Sequence, residues 1–140
     1  MNSRQPCFIW PVRVYYEDTD SGGVVYYANY LKFMERARTE WLRSLGFEQD
    51  QLLQQDGIIF AVRQVDVGYH HPARFNDALD VSASLSRKGR ASLTFYQEVV
   101  RVEDAQLLCK GEIKIACVDM KTMRPIPIPE KILSEIADVD

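Results

Sequence analysis

The stretch VYYEDTDSGGVVYYANYLKFMERARTEWL, residues 14–42, combines the end of a strand pattern, a turn and a helical pattern. Three carboxylates stand within its first seven residues, at Glu17, Asp18 and Asp20. Negative charges this close together repel one another, so the stability of the fold alone does not explain their presence. The cluster therefore suggests that at least one of these carboxylates has a function.

A long amphipathic helix is predicted in the second half of this stretch. Apolar residues recur there at three- and four-residue spacing, and polar residues fill much of the opposite side. The apolar positions are Tyr30, Met34, Ala37, Trp41 and Leu45, widened by Leu31, Phe33 and Leu42. Gly46 predicts the end of the helix. The rest of the chain must cover this broad apolar face.

Strand patterns lie on both sides of the helix. Residues 10–16, WPVRVYY, alternate before it, and four further strand patterns follow between residues 58 and 118. Short turns join these four patterns, which favours an antiparallel sheet. We expect one α+β domain over residues 1–140, in which a curved antiparallel sheet of about five strands wraps one long central helix.

The composition narrows the classes of function. The chain has 140 residues, 46% of them hydrophobic, and a net charge of -3. It lacks the basic footprint of a nucleic-acid-binding protein. No stretch approaches the roughly 20 apolar residues of a membrane span. The first residues lack a long apolar core after a basic start, so no signal peptide is expected.

The cysteines predict a reducing compartment. The chain has three cysteines, Cys7, Cys109 and Cys117, which are widely spaced. Their odd number indicates free thiols in the cytoplasm. None lies in a CxxC motif, which argues against a zinc site. Cys109 and Cys117 fall on one face of a predicted strand and are expected to be buried. One short acidic loop rarely supplies octahedral magnesium ligands, so no metal is expected. No cofactor is expected either.

The turn before the helix has the parts of a hydrolytic site. Gly22 and Gly23 permit unusual backbone conformations and a close approach to a ligand. The first N–H groups of a helix lack internal partners and lie at the positive end of its dipole. A carboxylate such as Asp20 can attack or deprotonate water while N–H groups hold an oxyanion. Alternatively, Asp18 and Asp20 only cap the turn.

The sequence also resembles a known family. Residues 16–42, YEDTDSGGVVYYANYLKFMERARTEWL, are similar to the signature of the hotdog-fold acyl-CoA thioesterases of the 4-hydroxybenzoyl-CoA thioesterase family. Residues 69–81, YHHPARFNDALDV, resemble the family's second block. The likeness covers nearly the whole chain and is greatest to members associated with the bacterial Tol-Pal system.

The resemblance implies a role for several residues. Asp20 matches the catalytic carboxylate, as nucleophile or general base, and the backbone N–H of Tyr27 is expected to polarise the thioester carbonyl. Many close relatives carry His at the position of Tyr27, so the backbone rather than the side chain is expected to act. Substrate-binding positions are Gly22, Gly23 and Val25, together with Arg87, Lys88 and Arg90 of the RKGR turn, which are candidates for the coenzyme A phosphates.

The implied function is hydrolysis of an acyl-CoA thioester to a free acid and coenzyme A by a homo-oligomer, a dimer of dimers. Apolar outward positions at Tyr96, Val100 and Val102 also suggest that the outer face of the sheet meets another subunit. His70 and His71 are expected to end a strand near the site. The acyl group is not specified, and the carrier can be coenzyme A or acyl carrier protein.

Three alternatives stay open. The first is another enzyme, an enoyl-CoA hydratase of the same fold, although such hydratases usually pair an Asp with a His. A non-catalytic module that binds acyl-CoA or acyl carrier protein is the second. A structural role at the cell envelope is the third, and only the family resemblance suggests it.

Overall fold

The computed structural model describes residues 7–136. Strand β1 (Phe8–Arg13) leads through a 3₁₀ turn (Tyr16–Asp18) to helix α1 (Ala28–Ser44). A short helix α2 (Gln49–Gln51) then continues into a π-helical turn (Leu52–Asp56). The predicted long helix is confirmed, and its final residues lie just before Gly46, as expected.

Four long strands and a last helical turn complete the fold. They are β2 (Ile58–Tyr69), β3 (Ala78–Lys88), β4 (Ser92–Arg101), β5 (Gln106–Asp119) and α3 (Glu130–Leu133). All five strands form one antiparallel sheet in the order β1-β3-β4-β5-β2. The α+β class and the five-stranded sheet match the prediction.

The predicted turn at RKGR is shorter than expected. Strand β3 extends through Arg87 and Lys88, and the chain reverses only from Gly89, whose N–H donates to the carbonyl of Ser92 (2.8 Å). Charged residues carry no apolar alternation, so the sequence pattern ends before the backbone pairing does. The two cations therefore extend from the end of a strand.

The core lies between α1 and the strands beneath it. The inward positions of β3 are all buried, as their alternation predicts: Leu79, Val81, Ala83 and Leu85. Trp41 of α1 meets Phe95 of β4 edge to face, with ring centroids 5.0 Å apart. Helix α1 packs mainly against β1, β3 and β4. It therefore lies towards one side of the sheet rather than over its centre.

The thiols follow the predicted burial. Cys109 and Cys117 are buried, and burial raises the pKa of Cys109 to about 12 and that of Cys117 to about 11. Cys7 is exposed. Between residues 7 and 136 there is no cluster of three or more His, Cys, Asp or Glu side chains that could hold a metal ion. In the same range, none of the helices has the length and apolar character to span a bilayer.

Candidate active site

A tight turn presents the carboxylate of Asp20. The N–H of Asp20 donates to the carbonyl of Val24 (2.9 Å), and the N–H of Gly23 donates to the carbonyl of Asp20 (3.0 Å). Gly23 has φ +82°, in the left-handed region that strongly favours glycine. The exposed carboxylate accepts the N–H of Gly22 on Oδ1 (2.8 Å), while Oδ2 accepts no hydrogen bond from residues 7–136. One oxygen is thus held and the other is available.

The start of α1 offers free donors. Tyr27 already has helical angles, φ −57° and ψ −30°, and directly precedes the first helical residue. Throughout the described chain, the backbone N–H of Tyr27 has no acceptor. It lies at the helix N-terminus, where partial positive charge accumulates. A carbonyl oxygen of a ligand can bind there.

Asp18 connects the turn to the helix. The residue is only 7% exposed. Its carboxylate accepts the N–H of Tyr15 on Oδ2 (2.8 Å) and the side-chain amide of Asn29 on Oδ1 (3.1 Å). Its backbone carbonyl accepts the N–H of Tyr26 (3.0 Å). Asp18 therefore supports the turn, because these bonds fix the loop on both sides of Asp20.

An aromatic cleft adjoins the start of α1. It has a volume of about 230 Å³ and is lined by Val25, Tyr27, Tyr30, Tyr69, His70, His71 and Pro72. The rings of Tyr27 and Tyr69 meet edge to face at 5.9 Å. The hydroxyl of Tyr30 accepts the N–H of Ala73 (2.8 Å), and burial raises the pKa of Tyr30, so this phenol stays neutral. The cleft is an apolar, aromatic recess beside the free N–H.

The two histidines follow the end of β2, as predicted. The backbone N–H groups of His70 and His71 both donate to the carbonyl of Leu108, at 2.8 and 3.2 Å. Both residues line the same cleft as Tyr27. They form part of the wall of the candidate site.

The basic residues of the RKGR segment lie far from Asp20. Strand β3 begins beside Arg13, near the Asp20 turn, and its 11 residues end at Lys88. A strand of that length spans about 35 Å at about 3.3 Å per residue. Arg87 lines a polar depression of about 260 Å³ on the outer face of the sheet. Within one chain, Asp20 and the candidate phosphate-binding cations are therefore not brought together.

Three residues of the site were missed by sequence reasoning. Asn29 supports Asp18, Tyr30 binds the backbone of Ala73, and Tyr69 forms one wall of the cleft. A polar Asn next to the apolar stripe of a helix was the only available signal. Tyr30 was counted as an apolar position of the helix, because hydrophobic periodicity does not show what a side-chain hydroxyl contacts.

Comparison with known proteins places this geometry in a family. The family model described as the thioesterase-like superfamily matches residues 14–136. The acyl-CoA thioester hydrolase YbgC of Escherichia coli is 46% identical over 128 residues, covering 91% of this chain and 94% of that protein. The acyl-CoA thioesterase YbgC of Haemophilus influenzae is 44% identical over 125 residues, covering 89% of this chain and 90% of that protein.

Solved structures agree on the fold. A probable thioesterase from Bartonella henselae has a TM-score of 0.83 and 32% identity, covering 88% of this chain and 99% of that one. The 1,4-dihydroxy-2-naphthoyl-CoA thioesterase of Synechocystis has a TM-score of 0.86, covering 93% of this chain and 95% of that one. Because the two chains are only 23% identical, this likeness supports the fold alone. The expected hotdog fold is confirmed, and the chain belongs to the thioesterase-like superfamily.

Proposed function

We propose that this chain hydrolyses acyl-CoA thioesters to a free carboxylic acid and coenzyme A. The observation that carries the proposal is that one turn leads to both groups: the Asp20 carboxylate, whose Oδ2 accepts no hydrogen bond from residues 7–136, and the N–H of Tyr27, which has no acceptor among those residues. The E. coli and H. influenzae relatives, at 46% and 44% identity, are named as acyl-CoA thioester hydrolase and acyl-CoA thioesterase, which supports the same reaction here.

The chemistry needs each part of this arrangement. The thioester carbonyl binds the N–H of Tyr27, which stabilises the negative charge that develops on the oxygen. Gly22 and Gly23 leave room for the substrate beside the carboxylate, and Val25 lines the cleft next to Tyr27. The C–S bond then breaks, and the coenzyme A thiolate leaves and takes up a proton.

Asp20 can act in either of two ways. As a general base it removes a proton from water, whose oxygen attacks the carbonyl. As a nucleophile it attacks the carbonyl itself, and water then hydrolyses the mixed anhydride. Label in the Asp20 carboxylate after single turnover in ¹⁸O-labelled water would establish the nucleophilic route, since that carboxylate gains a water oxygen only when water attacks the Asp20 carbonyl of the anhydride.

A second copy of the chain is part of the proposal. The cations expected to hold the phosphates, Arg87, Lys88 and Arg90, lie at the end of the sheet opposite Asp20. A two-fold axis across the edge strand reverses the strand direction and brings the partner's turn to the end that carries Asp20. We therefore propose a homodimer, and pairing of dimers into a tetramer through the outer face around Tyr96 and Val100.

Thiol release across a panel of acyl-CoAs tests the reaction. We expect release with a preferred acyl length, measured with a colorimetric thiol reagent against a blank without substrate. That blank contains a contribution from the exposed Cys7, whereas Cys109 and Cys117 are buried with raised pKa values and contribute little. Loss of crotonyl-CoA absorbance without thiol release indicates the hydratase instead. Tight acyl-CoA binding without either signal indicates a binding module.

Carrier and location belong to the same proposal. Acyl carrier protein is the alternative carrier, and release from an acylated carrier protein tests it directly. A cytoplasmic location is proposed from the cysteine usage and a Tol-Pal association from the family resemblance. Cell fractionation checks the location, and a pull-down of envelope proteins checks the association.

A further inference from the structure

The segment that follows β2 forms a fixed wall of the aromatic cleft. The backbone N–H groups of His70 and His71 donate to the carbonyl of Leu108, at 2.8 and 3.2 Å. Nη2 of Arg101 donates to the carbonyl of Pro72 (2.8 Å). Because successive residues are tied in this way, the wall keeps its place beside the cleft, and its side chains are presented from a rigid backbone.

The same wall is bonded to the start of α1. The N–H of Ala73 donates to the hydroxyl of Tyr30 (2.8 Å), in the first turn of the helix. The carbonyl of Ala73 accepts the N–H of Val25 (2.8 Å), two residues before Tyr27. His71 lies two residues before Ala73 and lines the cleft together with Tyr27. His71 is therefore held in the recess beside the N–H that we propose for the thioester carbonyl.

The imidazoles of this wall have no structural task within the described chain. Both His70 and His71 are exposed, and neither ring forms a hydrogen bond or an ion pair with residues 7–136. Nε2 of His70 lies 3.8 Å from the position that a Cβ on Gly68 would occupy, so this ring turns back over β2. The ring of His71 is the one free to turn into the cleft.

The proposed hydrolysis needs a proton donor for the departing sulfur. Breaking the C–S bond leaves its electron pair on the sulfur, and the alkyl thiolate of coenzyme A is basic enough to take up a proton. When Asp20 attacks the carbonyl itself, its carboxylate is bound in the anhydride and has no proton to give. A separate donor beside the carbonyl serves this route and the general-base route alike.

The titratable groups that line the cleft are phenols and imidazoles, from Tyr27, Tyr30, Tyr69, His70 and His71. Burial raises the pKa of Tyr30 and that of Tyr69, so these two phenols hold their protons tightly. Phenols in general exchange protons far above neutral pH, whereas an imidazole does so near it. The imidazoles are therefore the proton donors best suited to neutral pH in this cleft.

The charges behind the wall do not compete for this role. Arg101 is ion-paired with Asp77 (3.1 Å) and with Asp104 (3.0 Å). Burial raises the pKa of Cys109, which pairs with Tyr69 across the strands, to about 12, so this thiol stays neutral. Neither group exchanges a proton near neutral pH.

We infer that His71 is a second catalytic group of this site and donates a proton to the sulfur of the departing coenzyme A. The inference rests on the proposed hydrolysis and adds its proton source. As the tetrahedral intermediate collapses, the C–S bond breaks and the imidazolium proton moves to the sulfur. The products of this step are the free thiol and either the carboxylic acid or the anhydride with Asp20. The neutral imidazole then regains a proton from water.

Leaving groups of different basicity test this role. His71→Gln should lower kcat/KM for an acyl-CoA about 10²-fold, at the lower end of the range for general acids, because a thiolate is a good leaving group. The S-phenyl thioester of the same acyl group releases thiophenolate, which is weakly basic and leaves without a proton. The ratio of variant to wild type should therefore stay near one for that substrate. A wall that only packs against substrate would slow both.

The pH profile is a second readout, independent of the artificial substrate. The imidazolium is the active form, so wild-type kcat/KM should fall as the pH rises through the range in which imidazole titrates. His71→Gln should lose this limb. His70→Gln is the matched comparison from the same wall, and it should keep the limb and show no dependence on the leaving group. Circular dichroism checks that both variants are folded.

Three results would overturn the inference. The first is a folded His71→Gln enzyme that turns over acyl-CoA like wild type. The second is an equal loss with both thioesters and an unchanged pH limb, which would leave His71 a packing role only. The third is leaving-group dependence in His70→Gln instead. Failure of the proposed hydrolysis looks different, because wild type would then release no thiol from any acyl-CoA, and this role would fall with it.

Discussion

Asp18 and Asp20 lie two residues apart, yet their carboxylates have different surroundings. Asp18 is buried and uses both oxygens to hold the turn, whereas Asp20 is exposed and its Oδ2 accepts no hydrogen bond from the described residues. A carboxylate whose oxygens are occupied by structural donors is poorly placed to attack or deprotonate a water. The difference in hydrogen bonding therefore separates a supporting role from a chemical one.

Removing the Asp18 carboxylate should destabilise the protein. Asp18→Ala leaves the N–H of Tyr15 and the amide of Asn29 without an acceptor, which should lower the free energy of unfolding by about 1–3 kcal/mol. Urea denaturation measures this. The control is Glu17→Ala at the exposed neighbouring acid, expected within about 0.5 kcal/mol of wild type. Equal stability of the two variants would contradict the supporting role.

The sequence could separate these two acids only in part. The family signature and the following glycines pointed to Asp20, and capping of the turn was an open alternative for Asp18. The partner of Asp18, Asn29, was not found, because its role depends on how the turn folds back on the helix. Tyr69 comes from a strand distant in sequence, so only tertiary structure brings it to Tyr27.

At the scale of elements, β2 and β5 come unusually close at one point. A Cβ added to Gly111 would lie 2.3 Å from the carbonyl oxygen of Asp66 and 2.6 Å from Cα of Val67. Both are backbone atoms, so no side chain can rotate to make room. Glycine at this position lets the edge strand pack closely against the sheet.

Gly111→Ala should therefore weaken the contact of β2 with the sheet. We expect a loss of at least about 1–3 kcal/mol in unfolding free energy, as for other overpacked sites, with faster amide exchange in β2. Gly68→Ala is the control in the same strand pair, since its added Cβ meets nothing closer than 3.8 Å. Similar stability of the two variants would show that the backbones can separate at little cost.

Local patterns predicted the elements better than their arrangement. The period of α1 and the alternation of β3 follow from burial on one face, and both are confirmed. Short turns predicted the pairing of β3 with β4 and of β4 with β5, which is confirmed. The same reasoning placed β2 beside β3, which is wrong, since β3 lies between β1 and β4. The placement of β2 beside β5, at the edge, was not predicted, since it depends on contacts between segments about 50 residues apart.

At the scale of the whole molecule, the two ends of the sheet carry different parts of the proposed site. Asp20 and the aromatic cleft lie at one end, and the turn after Lys88 lies at the other. This separation could not be read from the sequence, because it depends on the direction and length of β3. The separation is the reason for which we propose that a second copy completes a site for both the thioester and the phosphates.

Neutralising the cations of the turn should weaken substrate binding only. For Arg87→Gln with Arg90→Gln we expect KM for acyl-CoA to rise about tenfold, with kcat nearly unchanged, because uniform binding is lost. Steady-state kinetics at low salt measures this. The control substrate is the matching acyl-pantetheine, which lacks the nucleotide phosphates and should be unaffected. An equal effect on both substrates would remove these arginines from phosphate binding.

The most direct test of the central claim is the hydrolysis rate of Asp20→Asn. Asparagine keeps an oxygen for the N–H of Gly22, so the turn and the stability should be preserved. The lost carboxylate should lower kcat by about 10²- to 10⁴-fold. Thiol release from the best acyl-CoA, measured for the folded variant and wild type side by side, gives the answer. A large loss at unchanged stability is the result we predict, and turnover close to that of wild type would contradict the account.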